Sequence, residues 1–109
     1  MGTLLYGSLG TEISFDDRAL AHLQIVITAK LRRREGFVFS WTSTPGAGSG
    51  RSAIWLDPSS TLFFRYFGSR PPAINREWIE VLAASSNNPG GLVFTAEPES
   101  PKEGAPSRS

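Results

Sequence analysis

The chain contains no cysteine. Disulfides, thiol nucleophiles and zinc sites with cysteine ligands are thereby excluded, and a reducing, cytoplasmic setting is the expectation. It contains one histidine, His22, too little for an imidazole-rich metal site. Its serines lack the glycine-flanked elbow of a Ser-His-Asp hydrolase. No apolar run approaches the roughly 18 residues that span a bilayer. The first residues lack the basic segment and long apolar stretch of a secretory signal. The sequence therefore implies no membrane partner. Charge is equally sparse. The formal net charge is +1, with −1 on residues 97–109 and +2 on residues 1–96. Any anion-binding site must therefore be local and not a property of the bulk.

What is present suits one small folded unit. The 109 residues are 39% apolar and include twelve aromatics, enough for one modest core. Residues 3–6 and 12–15 are rich in strand formers and flank a glycine-containing turn, so they read as a hairpin. Leu20, Leu23, Ile27 and Leu31 then recur at helical spacing. Asp16 or Asp17 can cap that helix, Lys30 and Arg32–Arg34 suit its negative end, and Gly36 can close it. This spacing puts His22 off the apolar stripe, towards solvent.

Phe37–Thr42 alternates, with Phe37, Phe39 and Trp41 on one face. Ser52–Leu56 and Thr61–Phe67 read as two more strands around an Asp-Pro-Ser-Ser turn. Both faces of Thr61–Phe67 are largely apolar, which predicts a central strand. Two prolines stiffen the following loop, Gly68–Ile74. Asn75 caps a second helix, Arg76–Ser86, whose inward side is Trp78, Ile79 and Leu82. Leu92–Thr95 can form a last strand. From Ala96 the composition turns to proline, glutamate, serine and glycine, which predicts a disordered tail over 97–109 behind a domain at 1–96. The order β-β-α-β-β-β-α-β implies an α+β fold: a largely antiparallel curved sheet, its middle three strands a meander, packed by two helices.

One stretch invites a chemical reading. Residues 45–52, Pro-Gly-Ala-Gly-Ser-Gly-Arg-Ser, approach the phosphate-loop pattern G-x-x-x-x-G-K-[ST]. Pro45 replaces the first glycine and Arg51 the lysine. A phosphate loop also needs a helix directly downstream, whereas Ser52–Leu56 reads as a strand. The stretch is therefore expected to join two strands. Asp16 and Asp17 are better explained as caps than as paired acids, and Glu77 and Glu80 as solvated charges.

The arginines offer the remaining surface. Arg65 interrupts an apolar strand, Arg70 lies in the proline loop, Arg76 opens the second helix and Arg51 follows the glycine-rich loop. With Trp55 and Tyr66 as stacking groups, they form a candidate binding surface for nucleic acid or another anionic partner. The competing reading buries the aromatics and pairs the arginines with Asp57, Glu77 or Glu80.

The segments G-T-E-I-S-F-D-D-R-A-L, F-S-W, G-S-G-R-S-A-I-W-L, F-G-S-R-P-P and N-R-E-W-I-E carry a resemblance over roughly residues 1–98. They resemble a family of small actinobacterial proteins, many of which bear the name ATP-dependent DNA ligase. The lysine-centred K-x-D-G adenylation motif of such ligases matches neither Lys30 nor Lys102. The expectation is a non-catalytic binding module without metal or cofactor. Its alternatives are a protein-interaction or homo-oligomeric module, or a ligase-related accessory protein.

Overall fold

A computed structural model describes residues 2–7, 10–42 and 50–98. The elements are β1 (Gly2–Tyr6), β2 (Thr11–Phe15), α1 (Asp17–Arg32), β3 (Phe37–Thr42), β4 (Arg51–Leu56), β5 (Leu62–Arg65), α2 (Arg76–Ser86) and β6 (Leu92–Val93). This is the α+β order that the sequence implies. The sheet, however, is divided in two. One sheet has the order β2-β1-β5, all antiparallel, and the other β4-β3-β6. In the second, β3 and β4 form an antiparallel pair and β6 runs parallel to β3.

The expected meander of the middle strands therefore ends at β4. β5 crosses to the first sheet and pairs with β1 at its edge. An edge strand has one unpaired side, and here its outer face is also open. Phe63 is 53% exposed, so the apolar outer residue does not signal a central, doubly covered strand. Phe67 lies beyond the strand, still more exposed.

Both helix starts follow the sequence. The Asp16 side chain accepts from the Ala19 amide at 2.7 Å, and the Asn75 side chain accepts from the Glu77 and Trp78 amides. Each bond satisfies an amide that the helix itself leaves unpaired. Asp17 does not cap; its two oxygens accept instead from the amides of Phe67 and Gly68. α1 ends with Arg33 as its C-cap, and Arg34 takes a left-handed conformation, φ 61°. Gly36, expected to close the helix, instead lies beneath the Trp55 indole, where a Cβ would sit 2.6 Å from Cζ2.

The core lies between the sheets and helices. Leu4, Leu20, Leu23, Ile27, Phe39, Leu56, Leu82 and Leu92 are fully enclosed. His22 is enclosed with them, which corrects its expected solvent-facing position. Burial is possible because both ring nitrogens have partners: Nδ1 donates to the Arg18 carbonyl at 2.7 Å, and Nε2 accepts from the Asn75 amide at 2.8 Å. His22 thereby ties α1 to the start of α2. Its ring packs on Trp78 with centroids 4.5 Å apart.

The segment after β6 is tied down at a residue that composition assigns to the tail. Both carboxylate oxygens of Glu97 accept from Arg18, at 2.7 and 2.6 Å, and the Asn75 side-chain amide donates to one of them. Arg18 and Asn75 hold the Glu97 carboxyl down to about 2, against an ordinary 4.5. A lowered carboxyl favours the folded arrangement above its ordinary range, and that contribution disappears as pH falls from about 4.5 through 2. We expect amide chemical shifts of residues 94–97 to stay fixed between pH 8 and 5 and to move at pH values well below 4. Glu97→Gln should abolish that acid transition; a midpoint at the ordinary glutamate value would refute the pairing.

Candidate functional site

α1 has an uncommitted outward face once its core stripe is removed. From Ala19 to Ala29 it carries no Asp, Glu, Lys or Arg. Its outward stripe of Ala21, Ile25, Thr28 and Ala29 is thus uncharged where a solvated helix face usually bears charge. Ile25 is 42% exposed. The segment from Tyr66 to Ile74 passes alongside this stripe and leaves a groove of about 680 Å³ between them.

Three devices hold that segment. Asp17 captures the Phe67 and Gly68 amides, at 3.1 and 2.8 Å. These two donors, Gly68 first, keep the Asp17 carboxyl below its usual value, so it remains an acceptor through ordinary pH. Arg18 donates to the Ala73 carbonyl at 2.7 Å. The Tyr66 hydroxyl donates to the Gln24 side chain. Burial, with the Asp17 charge second, raises the Tyr66 phenol, which keeps it protonated and able to donate. Pro71 and Pro72 fix two further φ angles between these anchors.

The groove's charge is one-sided. Arg32 and Arg70 line it, both exposed, and among the described residues no Asp or Glu does. Ile25, Ile74, Pro71 and Pro72 supply apolar surface beside them. The arrangement can hold an anionic group between two guanidinium forks and cover an attached apolar body.

Of the six residues singled out from sequence, Tyr66 and Arg70 share this groove. The others lie elsewhere. Arg51 and Trp55 occupy the outer face of β4, two strand repeats apart. Trp55 is 53% exposed, and its indole N–H donates to Asp57 at 3.0 Å. Arg65 projects from the outer face of β5 together with Phe63. Arg76 is the exposed first residue of α2. Asp57, considered as an arginine partner, is instead bonded to Ser59, Ser60 and Trp55. The two bonds from Ser59 chiefly lower its carboxyl.

Sequence reasoning missed Arg32 as a lining residue, because the run Arg32–Arg34 reads as helix-end compensation. It also missed Arg18, which positions the groove's far wall. Lys30, the lysine inside the domain, is largely buried, with its ammonium 2.6 Å from Glu35 and 3.1 Å from the Asn87 side chain. Its geometry ties the ends of the two helices together. That bond to Lys30 is the main reason the Glu35 carboxyl is lowered.

The glycine-rich stretch 43–49 lies outside the described residues. Downstream of Gly50 the chain is β4, a strand paired with β3, and not the helix a phosphate loop requires. Among the described residues no three His, Asp or Glu gather closely enough to hold a metal ion, and no helix is long and apolar enough to cross a membrane.

Residues 1–97 match the model of a family described as Domain of unknown function (DUF7882). The chain belongs to that family. No curated protein and no solved structure matches it. The DUF7882 match spans every element above and includes both walls of the groove.

Proposed function

We propose that this DUF7882 domain is a non-catalytic binding module that holds an anionic ligand with an apolar body in the groove between α1 and residues 66–74. The observation that carries this reading is the groove lining itself: two arginines, no acid among the described residues, and apolar surface beside the arginines. The ligand class is a carboxylate or phosphate on an aryl or alkyl group. The anion meets Arg32 and Arg70, the apolar part meets Ile25 and Ile74, and Tyr66 borders the site. This is preferred to a nucleic-acid strand because a strand requires a basic track several nucleotides long. Arg51, Arg65 and Arg76 sit on other elements and do not line the groove. The absence of cysteine suits such a module in the cytoplasm.

Phenyl phosphate and octanoate are suitable probes, with binding followed by amide shifts of the labelled protein. The expected response centres on Ile25, Thr28, Tyr66 and Ile74. Losing a hydrogen bond to a charged group costs about 1.5–3 kcal/mol. Arg32→Ala and Arg70→Ala should therefore each weaken binding by roughly ten- to a hundredfold. Both are surface substitutions, so stability should change by less than about 0.5 kcal/mol. If the double variant binds both probes as the native chain does, or neither probe shifts the groove residues, the reading is wrong.

A further inference from the structure

A second groove, of about 640 Å³, lies on a different part of the molecule and has a different character. One side is β2, all five of whose residues line it; the other includes Ser52, Ala53 and Ile54 of β4. Both strands end their sheets, in the orders β2-β1-β5 and β4-β3-β6. The groove is thus flanked by two sheet edges, whose outward N–H and C=O groups have no ladder partner among the described residues.

Which β4 groups face outward follows from two bonds. The Tyr6 hydroxyl donates to the Trp55 carbonyl, so Trp55 directs its backbone groups away from β3. The Phe94 amide donates to the Ser40 carbonyl, which therefore points towards β6 and away from β4. Ser40 stands opposite Ala53. In an antiparallel pair such opposed residues turn their backbone groups outward together. The Ala53 N–H and C=O thus lie on the open edge beside the groove. Among the described residues, the charged ones in the lining are Glu12 and Asp16. Asp16 also caps α1.

We infer that this groove docks an extended peptide segment bearing a basic side chain, added as a strand to the β4 or β2 edge. Exposed backbone edges select a partner that itself offers alternating N–H and C=O groups. A segment of about five residues spans the length of β2, at ~3.3 Å per residue. The two carboxylates favour lysine or arginine in that segment and disfavour a phosphate backbone. A strand bonded to both edges would join the two sheets into one. This inference is independent of the anion-binding groove, since the two sites share no lining residue among the described ones.

The test is selection from a randomised library of seven-residue peptides against the full chain, followed by amide hydrogen exchange with the tightest peptide. The expected result is enrichment of proline-poor sequences with lysine or arginine, and slowed exchange in β2 or β4. Ala53→Pro removes an edge donor without touching the β3–β4 ladder, and Glu12→Lys reverses a charge. Glu12→Lys should weaken the peptide at least tenfold, Ala53→Pro should do the same where the exchange pattern shows β4 as the paired edge, and both should leave phenyl phosphate binding unchanged. Should Ala53→Pro fail to fold, Glu12→Lys and the exchange pattern decide. Three outcomes overturn the inference: no peptide is enriched, the selected peptide protects neither strand, or Glu12→Lys binds it as tightly as the native chain. Protection of the same edges in the unliganded chain, rising with its concentration alongside a dimer in light scattering, would assign the groove to a second copy and equally overturn it.

Discussion

Trp78→Ala should destabilise the domain by about 3–5 kcal/mol, the range for an aromatic removed from a core. Trp78 is 3% exposed and sits where α2, α1 and the segment after β6 meet. Its ring packs on His22 at 4.5 Å and on Phe94 at 6.2 Å. Its indole N–H donates to the Thr95 carbonyl at 3.0 Å. Alanine would leave a cavity beside a buried imidazole and remove the Thr95 carbonyl's indole donor. Thr95 Oγ1 is already buried without a partner, so the site has little polar slack. In a domain of this size each kcal/mol lowers the melting temperature by about 4–8 °C. The melting midpoint should therefore fall by at least about 12 °C. Trp78→Phe keeps most of the apolar volume and loses the donor, so it should cost less than Trp78→Ala. Equal losses for the two would show that the hydrogen bond, and not packing, dominates. A loss below about 1 kcal/mol for Trp78→Ala would contradict the buried position.

The same corner of the molecule shows where sequence reading stops. Asp16, Asn75 and the Leu20–Leu23–Ile27 stripe are legible because capping and helical periodicity act within a few residues. His22 is not. A polar ring off the stripe reads as solvent-facing, and its burial depends on an amide donor 53 residues away. Glu97 has the same character. Its composition resembles a solvated tail, but its partner Arg18 lies 79 residues earlier. Neither separation leaves a local pattern.

The strand β5 misleads for a related reason. Periodicity reports which residues share a face, but not what covers the face. Leu62 and Phe64 do face inward, while Phe63 and Arg65 face outward, as alternation requires. The expected cover over Phe63 is absent among the described residues, and the pairing with β1 joins segments far apart in sequence. The groove was legible in part. Eleven residues of α1 without Asp, Glu, Lys or Arg mark an unusual outward face. That residues 66–74 run alongside it depends on Asp17 gripping the Phe67 and Gly68 amides, an acid whose sequence position suggests only a cap.

Gly91→Ala should cost at least about 3 kcal/mol and can abolish folding, because two separate penalties coincide there. Gly91 has φ +82°, a conformation that an L-residue adopts at a cost of roughly 1–2 kcal/mol. A Cβ there would also lie 2.2 Å from the Val38 carbonyl oxygen. That oxygen belongs to β3, the central strand of its sheet, so no side-chain rotation can relieve the contact. The chain must withdraw from β3 instead. Gly91 directly precedes β6, whose Leu92 and Val93 pair with Phe39 and Ser40 and place Leu92 in the core. The neighbouring glycine supplies the control. A Cβ on Gly90 meets nothing within 4 Å, and its φ lies outside the left-handed region. Gly90→Ala should thus leave stability within about 1 kcal/mol, on the side of a gain, because alanine restricts the unfolded chain. Denaturant unfolding of the two variants separates the explanations. If both lose the same amount, loop flexibility is what matters; if only Gly91→Ala fails, the close approach to Val38 is what seats β6 and the segment leading to Glu97.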